Sequence, residues 1–223
     1  VTSSISHICQ QSAEKLHSYG VEQTIQAIRE SGVRSVVPIG LAGKNEPDEF
    51  IVGADSYREM LTSWFETWNN TADGRVRIWP GPTGFYDTND VREMAKHDAK
   101  AVHNPTYKLS YSLDSDVKAF GDGIAPVAEL KDAGCVVGLG QDGCMGDTQD
   151  LFKEMRNLAF TQHYRHRDKK LFPPSKLIEM TTIDCAKTMM WDDQIGSLEP
   201  GKKADIILLD IDDAKVVPRT NRP

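Results

Sequence analysis

The stretch that most constrains this chain is Gly134-Cys135-Val136-Val137-Gly138-Leu139-Gly140-Gln141-Asp142-Gly143. Its apolar part ends in glycines and lacks the alternation of a half-buried strand. It therefore predicts a short strand buried on both faces, the kind found in parallel sheets. Asp142 follows where strand gives way to loop, and in barrels of alternating strands and helices that end is the reactive one. An Asp-Gly pair also builds ordinary turns. From these ten residues alone, Asp142 is either a site residue or a turn residue.

The rest of the chain repeats the theme. Residues 8–31 read as a helix bent near Gly20, feeding a strand at 33–39 and a polar loop at 40–48. A helix over 56–69 carries Met60, Leu61, Trp64, Phe65 and Trp68 at helical spacing, an aromatic stripe suited to core packing. Asp73-Gly74 predicts a turn before a strand at 75–79, which Pro80 and Pro82 are expected to stop. A helix at 87–98 leads into a very short strand at 100–103, and a polar loop is expected over 104–123. Helix 124–132 enters the opening strand at 135–139. Further helices are expected at 147–164 and at 176–189, the latter capped by Ser175 behind Pro173 and Pro174. Turns at 196–201 precede a predicted strand at 204–210 and a loose polar tail. Four alternations of helix with short buried strand imply parallel βα units. No glycine-rich phosphate loop follows any strand.

Length and charge narrow the partners. At 223 residues the chain can bury a real core. A formal net charge of −7 argues against nucleic acid or an anionic membrane as partner. No apolar run reaches the roughly 20 residues that span a bilayer. The basic cluster His163 to Lys170 reads as a solvated helix end. Cys9, Cys135, Cys144 and Cys185 lack Cys-x-x-Cys spacing, so reduced thiols and a cytoplasmic location are expected. Val1 is not an initiator methionine, which leads to the expectation that the chain begins inside a longer protein.

Five segments, in order, carry a resemblance: His103-Asn104-Pro105-Thr106, then Gly123 to Leu130, Val137 to Gly143, Ile178 to Ala186, and Ile195 to Leu208. Together they resemble the metal-dependent amidohydrolase superfamily, in its chlorohydrolase and aminohydrolase branch of atrazine- and melamine-type hydrolases and S-adenosylhomocysteine deaminases. Residues 32–34 and 73–79 match more weakly. The resemblance implies a TIM-type (β/α)₈ barrel holding zinc or iron at its mouth, with a small β-sandwich beside it. For this chain it implies an incomplete barrel of about four βα units over 1–190, and a remnant of the sandwich plus tail over 191–223. It implies hydrolysis of a C–N or C–Cl bond on a heterocyclic or purine-like small molecule. Asp142 would be a metal ligand that also handles the proton of the attacking water. His103 and Asn104 would contact substrate. Gln141 stands where the family motif usually has Thr.

The family's remaining ligands are histidines, including a His-x-His pair, and this sequence contains no His-x-His. His7, His17, His97, His163 and His166 match no ligand position. By the order of the resemblance, the strands would correspond to the third, fourth, seventh and eighth of a barrel. The first two are expected to be missing upstream, and the fifth and sixth to be excised between Asp98 and Val102. A catalytic zinc takes about three protein ligands plus water, so the expectation is a metal not stably bound. His163-x-x-His166 has a metal-compatible spacing but lies far along its helix. The alternative function is a catalytically inactive fragment or splice product that binds a partner, and exposed sheet edges predict self-association.

Overall fold

The structure, a computed structural model, describes residues 3–5, 17–41, 54–82, 88–112, 124–142 and 150–210. It contains two small parallel sheets rather than one. The first has the order β1 (Ser3–Ile5), β2 (Arg34–Leu41), β3 (Val76–Pro82). The second pairs β4 (Ala101–His103) with β5 (Val137–Leu139). No closed barrel is formed among the described residues. β1 was not anticipated, so among the described residues five strands lie in sheets where four barrel strands were expected.

Helix α1 (His17–Ser31) and helix α2 (Ala54–Trp68) cover one face of the first sheet. Val21, Ile25 and Ile28 of α1 recur at helical spacing and bury with Val37, Ile39, Val76 and Ile78. α1 runs through Gly20 without the expected bend, and its expected first half, residues 8–16, lies outside the described residues. So do most of the loop expected at 40–48 and the first residue of the helix expected at 87–98. Along α2 the aromatic stripe packs as expected through Met60, Leu61, Trp64 and Trp68, while Phe65 is 50% exposed. The Tyr57 hydroxyl donates to Ile39 O at 2.8 Å, tying the helix to β2.

β3 runs on through Pro80 to Pro82, where the prolines were expected to end it. It is the edge strand of its sheet, and an edge tolerates a missing N–H. The short turn α3 (Thr71–Gly74) protects the same edge. Asn70 N–H donates to Val76 O at 2.8 Å, and Ile78 N–H donates to Asn69 Oδ1 at 3.1 Å.

The second sheet has its own core. Ala101, Val137 and Leu139 bury against α4 (Thr88–Lys96), α6 (Val127–Asp132), α7 (Leu151–His166) and α8 (Pro174–Thr181). In α7, Met155, Leu158, Ala159 and Gln162 make one buried stripe. Gln162 is fully buried because both ends of its amide are used: it accepts from Ala128 N–H at 3.2 Å and donates to Ala125 O at 3.0 Å. These bonds satisfy the start of the short α6.

Four further expectations are corrected. Residues 105–112 form a helix, α5 (Pro105–Ser112), not loop. Pro105 occupies its first turn, where a missing N–H costs nothing. The helix expected at 176–189 is two, α8 and α9 (Ile183–Thr188), broken at Thr182 with φ −122° and ψ −93°. Pro173, not Ser175, holds the N-cap position of α8, and no side chain caps it. Finally, residues 204–210 are not a strand, because no described strand pairs with them. Ile206, Ile207, Leu208 and Leu209 are exposed, Leu208 to 95%. β-branched residues favour a strand only where a neighbour completes the ladder.

The two halves meet on α9. Its one side rests on β5, where a Cβ on Gly138 would lie 2.6 Å from Thr188 Oγ1 and 3.0 Å from Cys185 Sγ. On the other side Val36 of β2 buries with Ala186, Met189, Trp191 and Ile195. Arg34 reaches Asp205 in an ion pair and hydrogen bond. No described helix is long and apolar enough to cross a membrane.

Candidate functional site

The parallel pairing of β4 with β5 places His103 opposite Leu139. Both strands end there, so the turn of His103 and Asn104 and the turn of Gly140, Gln141 and Asp142 leave the sheet at the same end. Gly140 N–H extends the ladder by donating to His103 O at 3.0 Å. A side chain at 140 has no room, because a Cβ there would meet Asn104 Oδ1 at 2.7 Å and Val102 Cγ1 at 2.8 Å. Glycine thus lets the two strand ends approach. Asn104 Oδ1 is buried and accepts no hydrogen bond among the described residues.

The sequence-derived residues Asp142, His103 and Asn104 are therefore brought to one edge. The His163 and His166 pair is not. His163 Nε2 lies 2.7 Å from Leu171 O, and His166 Nε2 faces Glu129 Oε2 at 3.5 Å, so their rings serve different contacts. Burial works against the charge of Glu129, yet its own backbone N–H, the Arg165 guanidinium and His166 together hold its carboxyl below the ordinary range.

Two residues beside the site escaped the sequence reading. Glu154, on the first turns of α7 and 1% exposed, accepts from Thr106 N–H at 2.9 Å. Asn157, one turn on, donates to Thr106 Oγ1 at 2.8 Å. A helix opened by Pro105 leaves Thr106 N–H without a partner inside the helix, but nothing in the sequence says which side chain accepts it.

Cys185 is close to Gly138 but chemically quiet. Its thiol can donate to Leu139 O at 3.2 Å or Met180 O at 3.1 Å, and burial first, with Asp184 adding, pushes its pKa from 9.0 to about 11. An open groove of about 690 Å³ between α2 and β3, with Leu61, Phe65, Trp79 and Met190 in its walls, includes neither Asp142 nor His103. Thr62, Glu66, Asn69, Asn70 and Arg77 also line it, but Asn69 holds Ile78 N–H and Arg77 holds the Met189 and Met190 carbonyls.

A family model described as "Amidohydrolase family" matches residues 78–221. The chain belongs to the amidohydrolase family. It is 41% identical over 133 residues to an S-triazine hydrolase of Gordonia rubripertincta, covering 59% of this chain and 26% of that protein. It is 25% identical to a 5-methylthioadenosine/S-adenosylhomocysteine deaminase of Thermoanaerobacter pseudethanolicus, covering 90% of this chain and 59% of the relative. The second match runs over 259 residues, more than the 223 of this chain, so the relative has internal residues without a counterpart here. The solved structure of E. coli guanine deaminase shares the fold at a TM-score of 0.67 and 15% identity, over 92% of this chain and 59% of that one. The chain thus spans between about a quarter and three fifths of these relatives.

Amidohydrolases are in general metal-dependent, and zinc or iron is what the resemblance implies. The described residues do not fit such an ion. No group of three His, Cys, Asp or Glu side chains among them converges to hold a metal, and Asp142 is a single carboxylate.

Proposed function

We propose that this chain carries the seventh- and eighth-strand portion of a hydrolytic site acting on heterocyclic or purine-like small molecules. Water would replace an amino group, or chloride, on a ring carbon. The observation that carries the reading is the register of His103 against Leu139, which delivers Asp142, His103 and Asn104 to one edge. Family membership and relatives named as deaminases and as a triazine hydrolase support it. Asp142 takes the proton of the attacking water, a task suited to a carboxylate at a partly open strand end. His103 contacts the ring, and Asn104 Oδ1 offers a buried acceptor for a ring N–H or amino group.

A second reading is favoured by one observation, the lack of a three-ligand cluster among the described residues. In it the chain keeps the ring-binding edge and performs no turnover by itself, acting as a binding or interaction protein. Metal analysis after dialysis against a weak chelator separates the two, run on the full chain and on Asp142→Asn, beside ammonia release from amino-triazines and adenosine analogues. The second reading expects no stoichiometric zinc or iron in either protein and no turnover, with amino-heterocycles still shifting the His103 and Asn104 NMR signals. One equivalent of zinc that disappears in Asp142→Asn, together with ammonia release, would establish the complete enzyme instead. Absence of heterocycle binding at His103 in every condition would overturn both readings.

A further inference from the structure

We infer that Glu154 is a positioning residue for the His103-Asn104 end of β4, acting through the Thr106 amide; this rests on the reading of His103 and Asp142 as the site. β4 is three residues long, and among the described strands Ala101, Val102 and His103 pair with Val137, Gly138 and Leu139. A strand so short does not by itself fix the turn that follows it. The turn is fixed from beyond. Pro105 supplies no N–H, so Thr106 N–H is the first free donor of α5, and Glu154 Oε2 accepts it at 2.9 Å. Asn157 holds the hydroxyl of the same residue at 2.8 Å.

Both partners come from α7, the helix that the chain enters soon after Asp142. Asp150 caps that helix by accepting from Phe152 N–H at 2.9 Å. The two strand ends are consequently joined twice: by Gly140 N–H on His103 O, and by α7 on Thr106. Glu154 is 1% exposed, and among the described contacts no cation pairs with it. Burying a carboxylate is costly, and an apolar side chain of similar volume would pack there at less cost. What the carboxylate provides and an apolar residue cannot is a directional acceptor at the positive end of α5.

The test compares Glu154→Gln, which keeps an acceptor, with Glu154→Met, which keeps the volume alone, in the full chain. Hydrogen exchange of the Thr106 amide and the NMR positions of the Asn104 amide and His103 ring are read without any turnover assay. In the Met variant, Thr106 should exchange about tenfold faster or more, as loss of a charge-assisted bond implies, and the 103–106 signals should move while the Trp191 indole stays in place. The Gln variant should restore most of the protection. If the Met variant fails to fold, Asn157→Leu decides: displacement confined to residues 103–106 supports the inference. Unchanged Thr106 exchange and His103 signals in whichever variant folds would overturn it. Failure of the hydrolase reading would show separately, as no heterocycle response at a correctly placed His103.

Discussion

Arg77 of β3 stacks on Trp191, its guanidinium carbon 4.4 Å from the ring centroid, and donates to Met189 O at 2.8 Å and to Met190 O. One side chain of the first sheet thereby closes the C-terminal end of α9, where carbonyls are left without helical partners. Arg77→Leu should lower stability by about 1 to 3 kcal/mol, from lost cation–π and hydrogen-bond terms. Arg77→Lys should recover only part, because an ammonium cannot stack flat and bridge two carbonyls together. Urea unfolding of the three proteins checks this, and equal stability of the Arg and Lys forms would contradict it.

Gly138→Ala should be destabilising by about 1 to 3 kcal/mol, the usual range for overpacking. The added methyl would lie 2.6 Å from Thr188 Oγ1, 3.0 Å from Cys185 Sγ and 3.2 Å from Cys185 Cα. Only the first of these neighbours can be trimmed cheaply. Thr188→Ala in the Gly138→Ala background should therefore return some of the loss, a non-additivity that a double-mutant cycle measures. Strict additivity would mean that α9 does not press on β5.

The Cys185 thiol sets an alkaline limit. Its pKa rises from 9.0 to about 11 through burial, so above pH 9 the unfolded chain loses this proton while the folded one keeps it. Stability from this group is complete below pH 9 and is lost as pH climbs towards 11, by roughly 2 to 3 kcal/mol in all. Cys185→Ser or Cys185→Ala should flatten the stability profile between those pH values. Reaction of Cys185 with a thiol reagent at pH 8 should be slow in the folded protein and fast in urea.

Much of this was legible because short-range rules operated alone. The buried strand Val137 to Leu139, the aromatic stripe of α2 and the parallel pairing of β4 with β5 follow from periodicity and the short crossover through α6. Ile206 to Leu209 misled, since β-propensity is realised by pairing and propensity cannot report whether a partner strand exists. Thr182 divided a helix whose composition gives no breaker. Asp142 and His103 were visible as residues at strand ends, whereas Glu154 was hidden. Its role depends on where α7 lies in space, 48 residues away along the chain.

The exposed run should govern solubility. Ile206, Ile207, Leu208 and Leu209 are exposed to between 52% and 95%, an unpaired apolar segment of the sort that drives association. Ile207→Lys with Leu208→Lys should lower concentration-dependent association in sedimentation experiments and leave the unfolding free energy in urea within about 0.5 kcal/mol, as expected for surface changes. A large drop in stability would show that these residues are covered.

The meeting of the halves on α9 also fixes what light can report. Of the four tryptophans, Trp64, Trp68 and Trp79 belong to the first sheet and its helix, while Trp191, 1% exposed, sits in the joint. The core around β4 and β5 has none. Undocking of the halves would change the surroundings of Trp191 and of Trp79, which packs against the same joint, and leave Trp64 and Trp68 unaltered. Melting of the half that holds Asp142 would be visible only through the indoles at that joint. A chain with Trp64, Trp68 and Trp79 replaced by Phe would turn Trp191 into a gauge of whether the two sheets are assembled.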